Sequence, residues 1–225
     1  SGATVANKTY DGTTDASVSG GTLTGLIGQE TLGVAVSGAF TDKNAGTNKA
    51  VNTTAINLAN AGDGVTAGLA SNYLVTSSPA LTATINKAGL TLSGATVANK
   101  TYDGTTDASV TGGTLTGLIG QETLGVSGSG VFIDKNAGAN KAVTATAINL
   151  ANAGTGATAG LASNYTLASI IPTTAMKADI NKAELVLNSA TVANKNYDGN
   201  TTARVIDGTL TGLIGSETLD RKSVV

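Results

Sequence analysis

The chain has no cysteine, no histidine and no tryptophan among its 225 residues. Without cysteine there is no disulfide framework and no thiolate nucleophile, and the usual zinc sites lose their ligands. Without histidine a Ser-His-Asp triad cannot form. Neither a GxSxG elbow nor a phosphate-cradling glycine loop occurs, and no pair of carboxylates stands out, so no enzyme constellation is visible. Charged residues make up only 12% and the net charge is −2. A nucleic-acid partner needs a basic patch, and none is present. Nor is there a polybasic signal for a membrane surface, and no apolar run approaches spanning length, so membrane insertion is not expected.

Aromatics are scarce at 3%. A large share of the apolar residues are alanines, which bury little area each. Any core is therefore thin and built mainly from Val, Ile and Leu. The 30 glycines and the many Thr, Ser and Asn residues resemble a disordered composition, but regular apolar alternation argues for folded strands.

What the chain has in abundance is repetition. Residues 1–34 and 93–126 match position for position except for Ser19 against Thr111, an offset of 92 residues. A third copy begins near Leu185. The motif VANKTYDGTT places Tyr10, Asp11 and Gly12 in the first copy and Tyr102, Asp103 and Gly104 in the second. VANKNYDGNT places Tyr197, Asp198 and Gly199 in the third. A period near 90 is too long for a coil of a β-helix or for helical repeats, and it suits a string of small β domains.

Alternation marks the strands. Leu81, Ala83 and Ile85 share one side of LTATINK, while Thr82 and Thr84 take the other. Further strands are predicted at 22–27, 49–58 and 72–76, and a single helical turn near 67–73. Turn residues separate them: Asp-Gly at 11–12 and 63–64, Gly-Gly at 20–21, and DKNAG at 42–46. Pro79 and Pro172 precede the last strand of a copy, where a missing N–H suits a loop or sheet edge. The expected fold is all-β: tandem immunoglobulin-like sandwiches in an elongated rod, with β-grasp-like repeats as the alternative. The expected domains are 1–87, lacking its opening strand, 88–182, and a truncated 183–225. The start at Ser1 in mid-repeat reads as a segment of something longer.

The ordered set NKTYDGTTDA, a TLTG strand, a GxF strand ending in DKNAGxNKAV, and SNY before a closing INK resembles the YDG repeat. The related MBG repeats share its setting. The resemblance covers two copies in full and the front half of a third. It implies a stalk or adhesive segment of a secreted or cell-surface bacterial adhesin of the filamentous-haemagglutinin-like kind, extracellular and active in cell adhesion and biofilm. It supplies no ligand and no catalytic residue.

All seven aromatics fall on template positions: Tyr10, Tyr102 and Tyr197 in the turn, Tyr73 and Tyr165 in SNY, Phe40 and Phe132 in the middle strand. They read as corner and core residues. A carbohydrate-binding module, the alternative function, must then rely on template tyrosines or polar loops. Calcium is the one cofactor to consider: Asp11, Asp15, Asp42 and Asp63 are turn oxygens, but no EF-hand spacing occurs. A Lys–Asn isopeptide staple would draw on Lys8, Lys49 or Lys87 and Asn7, Asn44 or Asn72. Threonine-rich strands fit an ice-binding face less well than a solvated strand face. The expected partners are neighbouring repeats and host or matrix glycans or proteins. Self-association is a further expectation, with strands of the third copy adding to the open edge of the first in another molecule.

Overall fold

The computed structural model describes residues 2–170 and 176–219. It is all-β, of sandwich type, with several sheets. The helical content among the described residues is four single 3-10 turns, the second of them at Ala70–Asn72. A β-grasp needs a helix laid across its sheet, and none is found there. Pro172 lies outside the described residues.

Two compact units divide the chain, and neither is a continuous stretch. Unit 1 gathers Ser1–Ser93, Thr114–Gly125 and Leu150–Ile171, and unit 2 gathers Gly94–Gly113, Val126–Asn149 and Pro172–Val225. Unit 1 thus takes the whole first repeat and two pieces of the second.

In unit 1 a five-stranded sheet runs in the order Lys8–Thr9, Leu81–Asn86, Gly46–Asn60, Leu32–Phe40, Asp15–Ala16. The first pairing is parallel and the others are antiparallel. A three-stranded sheet places Ala88–Ser93 between Thr114–Thr116 and Tyr165–Ile170, antiparallel to the first and parallel to the second. Ala3–Val5 and Val18–Gly20 form a two-stranded ladder.

The alternation explains how the chain passes from one sheet to the other. Leu81, Ala83 and Ile85 are buried, then Lys87 is exposed, then Ala88, Leu90 and Leu92 are buried. The buried phase slips by one residue at Lys87. Side chains alternate faces along a strand, so a strand that changes sheets must change which parity faces the core. Phe40, Val51, Leu81, Ala83 and Ile85 meet Ala88, Leu90, Tyr10 and Tyr165 in one core cluster. Leu90 is wholly buried (0% exposed). Burying such a side chain contributes about 2 kcal/mol, so a core short of aromatics depends on each leucine.

Unit 2 is built on a sheet in the order Lys100–Thr101, Met176–Asn181, Gly138–Asn152, Leu124–Phe132, Asp107–Thr111, Thr96–Val97. Its core cluster is smaller: Ala108, Phe132, Val143, Ala178 and Ile180, flanked by Val97, Tyr102 and Met176. Val186–Val192 and Val205–Thr211 form a separate ladder with Val186 and Leu187 exposed.

Two expected strands do not form in the first repeat. Residues 21–27 and 73–80 carry no strand, whereas their counterparts in the second repeat do at Thr114–Thr116 and Tyr165–Ile170. The difference is a neighbour: in the second repeat both flank Ala88–Ser93, which supplies the hydrogen bonds of both ladders.

Candidate functional site

The Tyr-Asp-Gly turn is a corner organised by a lysine. Lys8 Nζ donates to Asp11 Oδ1 at 2.9 Å, to the Thr13 carbonyl at 3.0 Å and to Thr13 Oγ1 at 3.0 Å. Asp11 Oδ1 also accepts the Thr13 N–H at 2.9 Å, closing an Asx turn. Gly12 sits at φ +79°, where a side chain is strained. The lysine ammonium lies 5.6 Å from the Phe40 ring centroid, a cation–π distance. The second copy repeats the arrangement, with Lys100 on Asp103 and Thr105 and 5.7 Å from the Phe132 ring. In the third, Lys195 holds Asp198 and Asn200. Hydrogen bonds from Lys100 and from the Thr105 backbone lower the Asp103 carboxyl to about 2. Burial pushes the Asp11 carboxyl up, but Lys8 and Thr13 outweigh it and hold it below the usual range. Asp198 is likewise lowered by Lys195.

The tyrosine of the first corner points into the core, 2% exposed, and finds a partner 112 residues away. Tyr10 donates its hydroxyl to Glu122 Oε1 at 2.5 Å, and Tyr165 donates to Glu122 Oε2 at 2.7 Å. Lys43 Nζ approaches Oε1 at 3.3 Å. The two rings meet edge to face, centroids 5.4 Å apart at 80°. Glu122 is 8% exposed. A charge so buried is tolerated only when its oxygens are satisfied, and here each has a phenol. Beside it, Asn164 Oδ1 accepts the Ala45 N–H at 2.9 Å and Asn164 Nδ2 donates to Asn44 Oδ1 at 3.1 Å. All of these residues lie within unit 1, so the corner and DKNAG loop of the first repeat clasp the glutamate and SNY segment of the second.

The protons stay on the phenols and the charge on the carboxylate. Burial, then the hydrogen bond to Glu122 and its charge, pushes the Tyr10 hydroxyl up to about 12. Burial and the same carboxylate raise Tyr165 as well. Burial alone would raise Glu122, but donation from Tyr10, Tyr165 and Lys43 outweighs it and leaves the carboxyl below its ordinary range.

The glutamate ends a Gly-Leu-Ile-Gly turn. The Glu122 N–H bonds the Ile119 carbonyl at 3.1 Å, and the Ile119 N–H bonds the Tyr165 hydroxyl at 3.1 Å. The motif recurs as LIGQE at 26–30 and LIGSE at 213–217. In unit 2, Tyr102 donates to Glu217, with Lys135 Nζ 3.8 Å from the same carboxylate. In unit 1, Glu30 accepts the Tyr73 hydroxyl, and Ile27 is 71% exposed. Asn72 is exposed where its counterpart Asn164 is buried. Tyr197 is 98% exposed. In the sequence the tyrosines stand out by their rarity and the glutamates do not. Their signal was present in the exact repetition of LIG-x-E at the period of the array.

The other candidates resolve into local roles. Asp42 accepts from Lys49 at 2.7 Å, and at the 3-10 turn Gly64–Thr66 the Asp63 carbonyl accepts the Thr66 hydroxyl at 2.8 Å while the Asp63 N–H donates back to that hydroxyl at 3.1 Å. Asp15 lies exposed on a short strand. Among the described residues no three acidic groups gather to hold a metal. Of the isopeptide candidates, Lys8 and Lys49 are bonded to aspartates, Asn7 to the Thr84 N–H, and Asn44 to Asn164.

Fold and clasp together define a class: an all-β repeat protein in which one repeat's tyrosine corner seats on the next repeat's glutamate turn. The YDG domain model matches residues 1–80 and again 86–175, and the chain belongs to the YDG domain family. Comparison with curated proteins and with solved structures found no match.

Proposed function

We propose that this chain is a stalk-forming, adhesive repeat segment of a secreted or cell-surface bacterial adhesin, working by mechanics rather than catalysis. The observation that carries this reading is the buried clasp of Tyr10, Glu122 and Tyr165. It joins residues of consecutive repeats through a shared core instead of a flexible linker, and its parts recur at Tyr102 and Glu217. A segment joined this way carries load along the chain and presents whatever lies beyond it. Host or matrix glycans or proteins are the surfaces such a segment would meet, and many weak contacts along an array add up.

Force spectroscopy on the full chain tests the reading. A stalk unfolds in discrete high-force steps, and Glu122→Ala lowers the force of the step that opens unit 1. A chain that yields without resolved steps overturns it. The alternative, a weak multivalent carbohydrate-binding module, draws support from one observation: Tyr197 is open for sugar stacking at 98% exposure. Saturable binding on a glycan array, lost in Tyr197→Ala, would favour that module.

A further inference from the structure

Two strand ladders of unit 1 are parallel, and one stretch of chain supplies a side of each. Lys8–Thr9 pairs with Ile85–Asn86, and the Tyr10 N–H, donating to the Asn86 carbonyl at 2.8 Å, extends that ladder. Just past Lys87, the strand Ala88–Ser93 pairs with Tyr165–Ile170. Leu81, Ala83, Ile85, Ala88, Leu90 and Leu92 are buried, so side chains anchor both halves of this stretch. Its other ladders, with Gly46–Asn60 and with Thr114–Thr116, are antiparallel. Direction decides what tension does to a ladder. The earlier strand is pulled from its first residue and the later strand from its last. In a parallel pair those residues lie at opposite ends, so the strands must slide and the evenly spaced bonds share the load. In an antiparallel pair they lie at the same end, and the bonds open one after another.

We propose that Leu81–Ser93 is a shear strap, the force-bearing element of unit 1. Tension entering before Lys8 crosses the first ladder to Asn86, runs through Lys87 into Ala88–Ser93 and crosses the second ladder to Ile170. Residues 10–84 and 93–164 lie off this path, in the two loops of chain that the ladders close, and stay shielded until a ladder yields. The clasp braces the middle of the path. Tyr10 ends the first ladder, Tyr165 begins the second opposite Ala88, and both hydroxyls donate to Glu122. The strap deepens the stalk reading and rests on it for its use in the organism. Its mechanics follow from strand direction alone.

The test compares two pulling directions on the full chain. The sequence has no cysteine, so engineered pairs serve as unique handles. Ala6→Cys with Lys177→Cys loads both ladders along their strands, and Lys87→Cys with Ser163→Cys peels the second ladder from one end; all four positions are exposed. Forced unfolding reads a barrier rather than an equilibrium, so the first pair should rupture at a force at least about twofold higher than the second. Both variants should show the same midpoint in denaturant. A short glycine-serine insert between Gly20 and Gly21, in the first pair's background, should leave the rupture force unchanged and add its length only after rupture. Equal forces in the two directions overturn the strap. So does an insert that lengthens the chain before the main rupture. A directional difference without resolved steps in end-to-end pulling of the native chain would leave the strap standing and overturn the stalk reading. Resolved steps without a directional difference would do the reverse.

Discussion

Glu122 is the residue on which the most is staked, because a buried carboxylate must be satisfied or it unfolds its surroundings. Removing one donor leaves an oxygen short of a partner, which costs about 1–3 kcal/mol. Tyr10→Phe should therefore lower the stability of unit 1 by about that amount in denaturant unfolding. Tyr197→Phe, at an exposed position, should change it by less than about 0.5 kcal/mol. The sign of the pH dependence follows from the depressed Glu122 carboxyl. A group lowered in the folded state adds stability above its unfolded value of about 4.3 and loses it as pH falls through the folded value. Melting temperature should fall on acidification below that point, and Glu122→Gln should flatten part of the fall. Asp103, at about 2, extends the acid-sensitive window further down through its bond to Lys100.

At the scale of elements, the corner glycine combines two constraints that separate cleanly. Gly12 and Gly199 share a left-handed φ of +79° and +76°. A Cβ on Gly12 would lie 3.2 Å from Ile119 Cγ2, while one on Gly199 would meet nothing. Gly199→Ala should therefore show the backbone strain alone, about 1–2 kcal/mol for a non-glycine residue. Gly12→Ala should exceed it by the cost of moving Ile119, read as a lower midpoint in denaturant. Strands were legible wherever one face is buried: the alternation of Leu81, Ala83 and Ile85 is plain in the sequence because period two is local information. So were the Asp-Gly corners. The strand state of 22–24 was not legible, since it depends on whether another strand lies beside it. The clasp was half legible. Its tyrosines are rare and repeated, but Glu122 looks like any surface glutamate until chain topology brings Tyr10 and Tyr165 to it.

For the whole molecule, the compact units cut across the sequence period. The core of unit 1 draws on Leu115, Leu118, Leu124, Leu150 and Leu167 as well as on the first repeat. A fragment ending at Ser93 would expose Leu90, Leu92 and Tyr10 together. It should lose amide protection across 81–93 in hydrogen exchange, and the intact chain should retain it. A fragment of that length protected as strongly as the full chain would show that unit 1 needs nothing from the second repeat.

The spacing of the clasp also bears on how such a gene changes length. Tyr10 and Glu122 are 112 residues apart, and Tyr102 and Glu217 are 115 apart, so each pairing reaches past one full period. Unequal crossing-over that adds or removes whole periods returns every tyrosine to a glutamate, wherever in the period the breakpoint falls. Three residues more or less between tyrosine and glutamate are absorbed, as the two spacings show, but a deletion that removes the LIG-x-E turn without its tyrosine leaves the corner unpartnered. Selection for folding alone would then quantise the length of the array in steps of about one repeat.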